Sequence, residues 1–308
     1  MLMLTRRTFV ASTAAGLLRA EAGPSYKVGI TTNTRGGWEK DVFLSFREAR
    51  EAGFHYVESF IDYFGDYVDK PDDLLKKTNA IGVKFETISN GGRMEMHFEN
   101  PAMHEKIVDQ HMRLVRFIKR LGCDHLKINT GPRRPKGTTD QDLRNMAVVF
   151  NILGKQISGE GLKFGVHAHM WTQLENRREI DTVLGATDPQ HVWFVLDTGH
   201  ITMAGIDPVE LARALRHRII EFHLKDTKPE YRGGAKTRLE RNDPMKDPIF
   251  FELGTGGVDF PAIKAHLDEI RWRGWLTVEL DSSPSRPPKQ SALISRNYLE
   301  NTLRISVE

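Results

Sequence analysis

Eight short apolar runs, each followed by a stretch of helical periodicity, recur along this 308-residue chain, and that alternation restricts the fold more than any other feature. The runs fall at 26–30, 55–58, 83–88, 125–128, 163–167, 192–196, 219–223 and 275–279. The amphipathic stretches fall at 42–52, 71–80, 102–121, 140–159, 177–184, 208–215, 260–270 and 291–305. Strand followed by helix, eight times over and with no series of hairpins, specifies a parallel sheet closed on itself. The expectation is an α/β fold, a single-domain (β/α)8 TIM barrel over residues 23–308. A closed barrel of roughly 250 residues suits a chain of this length. No GxGxxG opens a helix after a strand, which argues against a dinucleotide-binding sheet.

Residues 1–22 read as a targeting segment rather than as part of the fold. Thr5-Arg6-Arg7-Thr8-Phe9 precedes a weakly apolar run, 10–18, and Ala20-Glu21-Ala22 supplies small residues for cleavage. Paired arginines with Phe9 two positions later resemble a twin-arginine signal, so the chain is expected to be exported to the periplasm or beyond. The formal charge of +3 owes two units to this segment, and the rest carries 41 basic against 40 acidic residues. So balanced a charge gives no reason to expect a nucleic-acid partner. No other stretch approaches a membrane span in length. Cys123 is the only cysteine, which excludes an internal disulfide or a cysteine-rich zinc module, and its junction position reads as buried packing.

Several strands end abruptly in groups that bind cations. Phe194-Val195-Leu196 runs into Asp197-Thr198-Gly199-His200, and three further runs end in His167, His223 and Glu279. In a parallel barrel these strand ends share one rim, where active sites form. Two imidazoles and two carboxylates from four strands constitute a site for a hard-to-borderline divalent ion. His169 lies two residues beyond His167 and competes with it for the role of strand-five ligand. Glu58 and Asn129 close strands two and four and are candidate substrate contacts. Trp171 offers an apolar face for stacking on a bound ring, or packs beneath its own loop. Lys225 and Asp226 follow His223 and either contact substrate hydroxyls or pair with each other. The polar segment 226–255 is too long for a plain connection and is expected either to cover the barrel mouth or to make a solvated excursion. Arg232, within it, could meet an anionic group or stay in water.

Val-Leu-Asp197-Thr-Gly-His200, Arg218-Ile-Ile-Glu-Phe-His223-Leu-Lys225-Asp226, Leu253-Gly254-Thr-Gly256-Gly-Val258-Asp259-Phe and Gly274-Trp275-Leu-Thr-Val-Glu279 together resemble the sugar phosphate isomerase/epimerase group of xylose-isomerase-like TIM barrels. The resemblance spans nearly all of the chain after residue 22. It implies one divalent metal, manganese first and zinc, magnesium or cobalt as alternatives, held by a strand-five acid, a strand-six Asp, a strand-seven His and a strand-eight Glu. Those roles pass to His167, Asp197, His223 and Glu279. The chain departs from the pattern at His167, where an epimerase carries glutamate, although inosose-dehydratase-like branches show histidines there.

The departure bears on chemistry. Moving a proton next to a carbonyl needs a Lewis acid to polarise the carbonyl and a base to take the proton. Epimerisation is easiest with a base on each face, and here only Glu279 supplies one, with His200 or Lys225 to return a proton. The leading expectation is therefore a sugar or keto-sugar isomerase or epimerase, with a dehydratase acting on a keto-glycoside or inosose as the alternative. An endonuclease IV-like repair enzyme would need a multi-metal cluster and a basic face, and a non-catalytic sugar-binding barrel would need no base at all. A small-molecule carbohydrate is the expected partner, and homo-oligomerisation is left open.

Overall fold

Parallel pairing joins every pair of neighbouring strands in the barrel except the third and fourth. The computed structural model describes residues 25–307, so the expected export signal, 1–22, lies outside the described residues. The strands are β1 (Ser25–Thr31), β2 (Tyr56–Phe60), β3 (Lys84–Ser89), β4 (His125–Asn129), β5 (Lys163–His167), β6 (Trp193–Asp197), β7 (Ile219–Leu224) and β8 (Arg273–Val278). Their order in the sheet is β3-β2-β1-β8-β7-β6-β5-β4, so the first and last strands are neighbours. The seam between β3 and β4 is stitched by side chains. The Thr87 hydroxyl donates to the His125 carbonyl at 2.9 Å. The Asn90 side chain accepts from the Asn129 N–H at 2.8 Å and donates to the Asn129 carbonyl at 2.9 Å.

The outer layer comprises α1 (Val42–Glu51), α2 (Pro71–Ile81), α3 (His104–Arg120), α4 (Asp140–Gly159), α5 (Arg177–Gly185), α6 (Thr198–Met203), α7 (Pro208–Ala214), α8 (Phe260–Glu269) and α9 (Pro288–Asn301). Local sequence explains where they start. Thr139 with Asp142 and Asn176 with Glu179 form reciprocal capping boxes on α4 and α5. The last helix begins at Pro288 rather than at 291, because proline at the first helical position needs no hydrogen bond for its nitrogen. Phe46, Phe54, Phe150, Phe164 and Phe222 are buried in the layer between strands and helices.

Two features depart from the sequence reading. The residues after Asp197, outside the stretches of helical periodicity, form a six-residue helix, α6, too short to show a repeat. The insertion 226–255 contains a small antiparallel ribbon, Asp226–Thr227 with Phe250–Phe251. It also has an apolar core of its own, in which Ile249, Phe250 and Ala235 pack with Met170, Met203 and Leu280. Among the described residues, no helix is long and apolar enough to cross a membrane.

Candidate metal centre

Four strand ends place His167, Asp197, His223 and Glu279 together, and one ligand atom from each lies within 4.8 Å of all the others. All four residues are buried. Asp197 and His223 are register partners across β6 and β7. Asp197 Oδ2 lies 3.6 Å from His167 Nε2 and 3.8 Å from His223 Nδ1, and His223 Nδ1 also contacts Glu279 Oε2. Both Asp197 Oδ2 and His167 Nε2 are buried without a hydrogen bond, although the Lys225 ammonium stands 3.1 Å from the former. Buried polar atoms are rarely left so. Two facing lone pairs, with a second imidazole and a second carboxylate beside them, are what a divalent cation would satisfy. The residues present therefore fit the metal that the sequence implies.

Each ligand is oriented from behind. His167 donates its Nδ1–H to Asn129 Oδ1 at 2.8 Å, which leaves Nε2 as the free lone pair. His223 donates its Nε2–H to Glu58 Oε2 at 2.8 Å and to Glu221 Oε1 at 3.1 Å, which leaves Nδ1 on the ligand side. Asp197 Oδ1 accepts the His200 N–H at 2.8 Å as the cap of α6, so only Oδ2 is left for the cluster. Partners of this kind fix the ring tautomer and tune ligand basicity. Burial disfavours a charge on His223, yet the Glu58 and Glu279 carboxylates outweigh it and hold its pKa well above the ordinary imidazole value. Burial, with Lys127 and His223 nearby, pushes His167 well below that value, so it is neutral.

The barrel interior beneath the site is polar. His125 donates to Asp124 Oδ1 at 2.8 Å and to Glu221 Oε2 at 3.0 Å. Despite its burial, those two carboxylates raise its pKa to about 9. Lys127 Nζ pairs with Glu58 Oε1 at 2.7 Å. The Thr277 hydroxyl lies 2.5 Å from Glu86 Oε1 and 2.8 Å from Glu221 Oε1.

Lys225 is wholly buried and reaches Asp281 Oδ1 at 2.8 Å, Glu279 Oε1 at 3.3 Å and His200 Nε2 at 2.9 Å. Its pKa is raised, because the Asp197, Asp281 and Glu279 carboxylates outweigh the cost of burial. As the ammonium donates to His200 Nε2, the hydrogen of the neutral His200 ring lies on Nδ1. Gly199 of the Asp-Thr-Gly-His motif makes room for this lysine, since a Cβ there would lie 2.7 Å from Lys225 Cγ. His200 and His169 are in close ring contact, with centroids 3.5 Å apart.

The structure separates the sequence candidates. His167, rather than His169, meets the other three ligands; His169 donates to the Met170 carbonyl at 2.7 Å. A cavity of about 440 Å3 is lined by Asn129, His167, His169, Trp171 and Glu279, and by Phe250 of the insertion. The insertion thus covers the mouth, with the Trp171 indole donating to the Leu239 carbonyl at 3.1 Å. Two expectations need correction. Glu58 does not reach the cavity, because β2 runs on to Phe60 and Glu58 turns into the barrel toward Lys127 and His223. Asp226 neither faces substrate nor pairs with Lys225: its carboxylate accepts four backbone N–H groups, from Thr227, Gly254, Gly256 and Val258, at 2.9–3.0 Å. Gly256 is required there, since a Cβ would lie 2.6 Å from Asp226 Oδ1. Arg232 pairs with Asp259. Lys127, Asp281 and Arg35 line the cavity and escaped the sequence reading; the alternation of polar residues at His125, Lys127 and Asn129 was the available signal for the first.

Comparison with known proteins agrees with this architecture. The family model described as a xylose isomerase-like TIM barrel matches residues 46–302. The chain belongs to that family. An inosose dehydratase of Clostridium botulinum (strain Alaska E43 / Type E3) is 32% identical over 168 residues, a match covering 54% of this chain and 56% of the relative. The chain therefore spans little more than half the length of that curated relative. A sugar phosphate isomerase/epimerase from Parabacteroides distasonis superposes with a TM-score of 0.69 at 20% identity, covering 96% of this chain and all of the other. The IOLI protein, described with a binding zinc atom, gives 0.66 at 16% identity over 90% of this chain and 98% of its own. At such identities these two likenesses speak for the shared barrel.

Proposed function

We propose that this protein is a divalent-metal-dependent isomerase or epimerase that acts on a sugar or keto-sugar by proton transfer next to a carbonyl. The observation that carries the reading is the facing pair of buried atoms without hydrogen bonds, His167 Nε2 and Asp197 Oδ2, within a set of four donors. Two imidazoles and two carboxylates suit manganese, with zinc, magnesium or cobalt as alternatives. When bound there, the ion would polarise the substrate carbonyl as a Lewis acid.

The chain's own groups do the rest. Glu279 lines the cavity and stays a carboxylate, because the Lys225 ammonium 3.3 Å away outweighs its burial, so it can accept a proton from a bound sugar. The Lys225 ammonium, held by three carboxylates, serves as a fixed positive charge rather than as a base. His200 carries its hydrogen on Nδ1, where it has no partner, and is the group suited to return a proton. Trp171 and Phe250 supply apolar faces for the ring.

One observation favours a dehydratase as the second reading. Of the four donors, Glu279 is the carboxylate that lines the cavity, and elimination of water needs one base and one proton donor, where two-sided epimerisation needs a pair of bases. The partial match to an inosose dehydratase supports the same alternative. We also propose export through the twin-arginine route on the strength of Arg6, Arg7 and Phe9, to be tested by fractionating cells that express the chain with and without R6K/R7K.

The deciding experiment strips the protein with chelator, restores each metal, and follows ketoses, keto-glycosides and inososes by NMR in deuterated water. Exchange at carbon with a rearranged product supports isomerase chemistry, and loss of water supports the dehydratase. Glu279→Gln is expected to abolish turnover while leaving the thermal melt nearly unchanged. Failure to bind any divalent ion, or near-full activity in that variant, would sink the proposal.

A further inference from the structure

Strand β4 supplies none of the four ligands, yet three of its side chains, His125, Lys127 and Asn129, lead to the two ligand imidazoles. Asn129 holds His167 directly at 2.8 Å. Lys127 Nζ pairs with Glu58 Oε1 at 2.7 Å, and Glu58 Oε2 accepts the His223 Nε2–H at 2.8 Å. His125 donates from Nε2 to Glu221 Oε2 at 3.0 Å, and Glu221 Oε1 lies 3.1 Å from the same His223 nitrogen.

Two carboxylates thus converge on one N–H, and His125, Lys127, Glu58, Glu221 and His223 are all buried. Like charges so placed repel each other, and a buried charge is tolerated only when it is paired. Each carboxylate has its own cation from β4, Lys127 for Glu58 and His125 for Glu221. Burial opposes both positive charges, yet Asp124 and Glu221 keep His125 protonated at neutral pH, and Glu58 foremost keeps Lys127 so. His125 is fixed from its other side as well. Its Nδ1 donates to Asp124 Oδ1 at 2.8 Å, and the half-exposed Asp124 also accepts from Lys27 Nζ at 2.7 Å and from the Trp275 indole at 3.0 Å. His125 stands four residues before Asn129, about 13 Å away along the strand at the usual rise per residue.

We propose that His125 and Lys127 are positioning residues for the metal: by holding Glu221 and Glu58 together at Nε2, they fix the His223 ring and with it the strand-seven share of the site. Carboxylates behind a ligand imidazole set its orientation and basicity, and here the cations behind those carboxylates set where they stand. The inference rests on the metal reading above and adds to it two residues that touch neither the ion nor its ligands.

Manganese is titrated into the metal-free protein by calorimetry, with thermal melts as a check of folding. H125Q and K127Q, which remove a cation and keep an amide donor, are expected to bind manganese about tenfold or more weakly than wild type. E221Q and E58Q should do the same. Within each pair the effects should not add: H125Q/E221Q should bind as E221Q does, and K127Q/E58Q as E58Q does, because each cation acts through its carboxylate. T87V removes the hydroxyl that donates to the His125 carbonyl at 2.9 Å, and should lower the melt while leaving the affinity unchanged. Wild-type affinity in H125Q or K127Q, full additivity in either pair, or a fall in T87V as large as that in H125Q would overturn the proposal. If a variant of either cation does not fold, wild-type affinity in E221Q and E58Q overturns it instead. A wild type that binds no manganese removes the metal reading and this one together, whereas manganese binding that the variants leave unmoved removes this one alone.

Discussion

Asn129 Oδ1 accepts the Nδ1–H of His167 at 2.8 Å, and this contact decides which nitrogen of the ring faces Asp197. A ligand imidazole with a fixed tautomer binds a cation without first reorganising. Asn129→Leu should therefore lower divalent-metal affinity about 10–100-fold, within the range seen when such supporting contacts are removed. Calorimetric titration of the apo protein with manganese or zinc measures it. Unchanged affinity would show that the asparagine plays no part in orienting the ring.

Asp226 organises the insertion rather than binding substrate. Oδ1 accepts from Thr227 and Val258, and Oδ2 from Gly254 and Gly256. In Asp226→Asn, one side of the group becomes a donor that confronts two N–H donors. A buried donor left unsatisfied costs about 1–3 kcal/mol. We expect faster tryptic cleavage between 228 and 246 and a lower melting temperature. A variant with wild-type protease resistance and only a raised KM would restore the substrate-contact role.

Strand ends were legible because parallel strands reveal themselves as apolar runs, and Asp197, His223 and Glu279 each interrupt or end one. The same rule hid the barrel interior. Glu58, Glu86, Lys127 and Glu221 are wholly or almost wholly buried, and their partners stand on other strands far away in sequence, so no local pattern marks them as paired. Glu58 looked like a rim residue because the apolar run stopped there, although the strand continues through Ser59 and Phe60. Helix α6 escaped because Thr-Gly-His-Ile-Thr-Met offers four weak helix formers, two Thr, Gly and His, in less than two turns.

His111 should make the protein acid-sensitive. It lies buried on α3, donating from Nδ1 to the Ile107 carbonyl at 2.8 Å, with Asn90 Nδ2 3.4 Å from Nε2. Burial lowers its pKa to about 4. The unfolded chain binds a proton as the pH falls below about 6.5, whereas the native ring resists until about 4, so stability present above the first value is lost through that interval. The shift corresponds to about 3 kcal/mol. In His111→Leu this part of the pH dependence should vanish, as measured by denaturant unfolding at pH 7 and pH 4; parallel curves for the two proteins would refute it.

Glu86 presents the opposite sign. Burial first, and then the Glu221 and Glu58 charges, raise its pKa well above the ordinary carboxyl value. Geometry agrees: one hydroxyl hydrogen cannot serve both Glu86 Oε1 and Glu221 Oε1, so Thr277 donates to the ionised Glu221 and accepts from a protonated Glu86. A raised native pKa means that this group's contribution is complete below the free-chain value, about 4.3, and is lost as the pH rises through the native value. Glu86→Gln supplies a permanently neutral donor of nearly the same shape. It should leave stability near pH 4 within about 1 kcal/mol of wild type and gain on wild type as the pH rises. Chemical unfolding of both proteins from pH 4 to pH 8 reads this directly. A loss of several kcal/mol in the variant at neutral pH would mean that Glu86 is buried as an anion, and that the proton shared through Thr277 lies elsewhere.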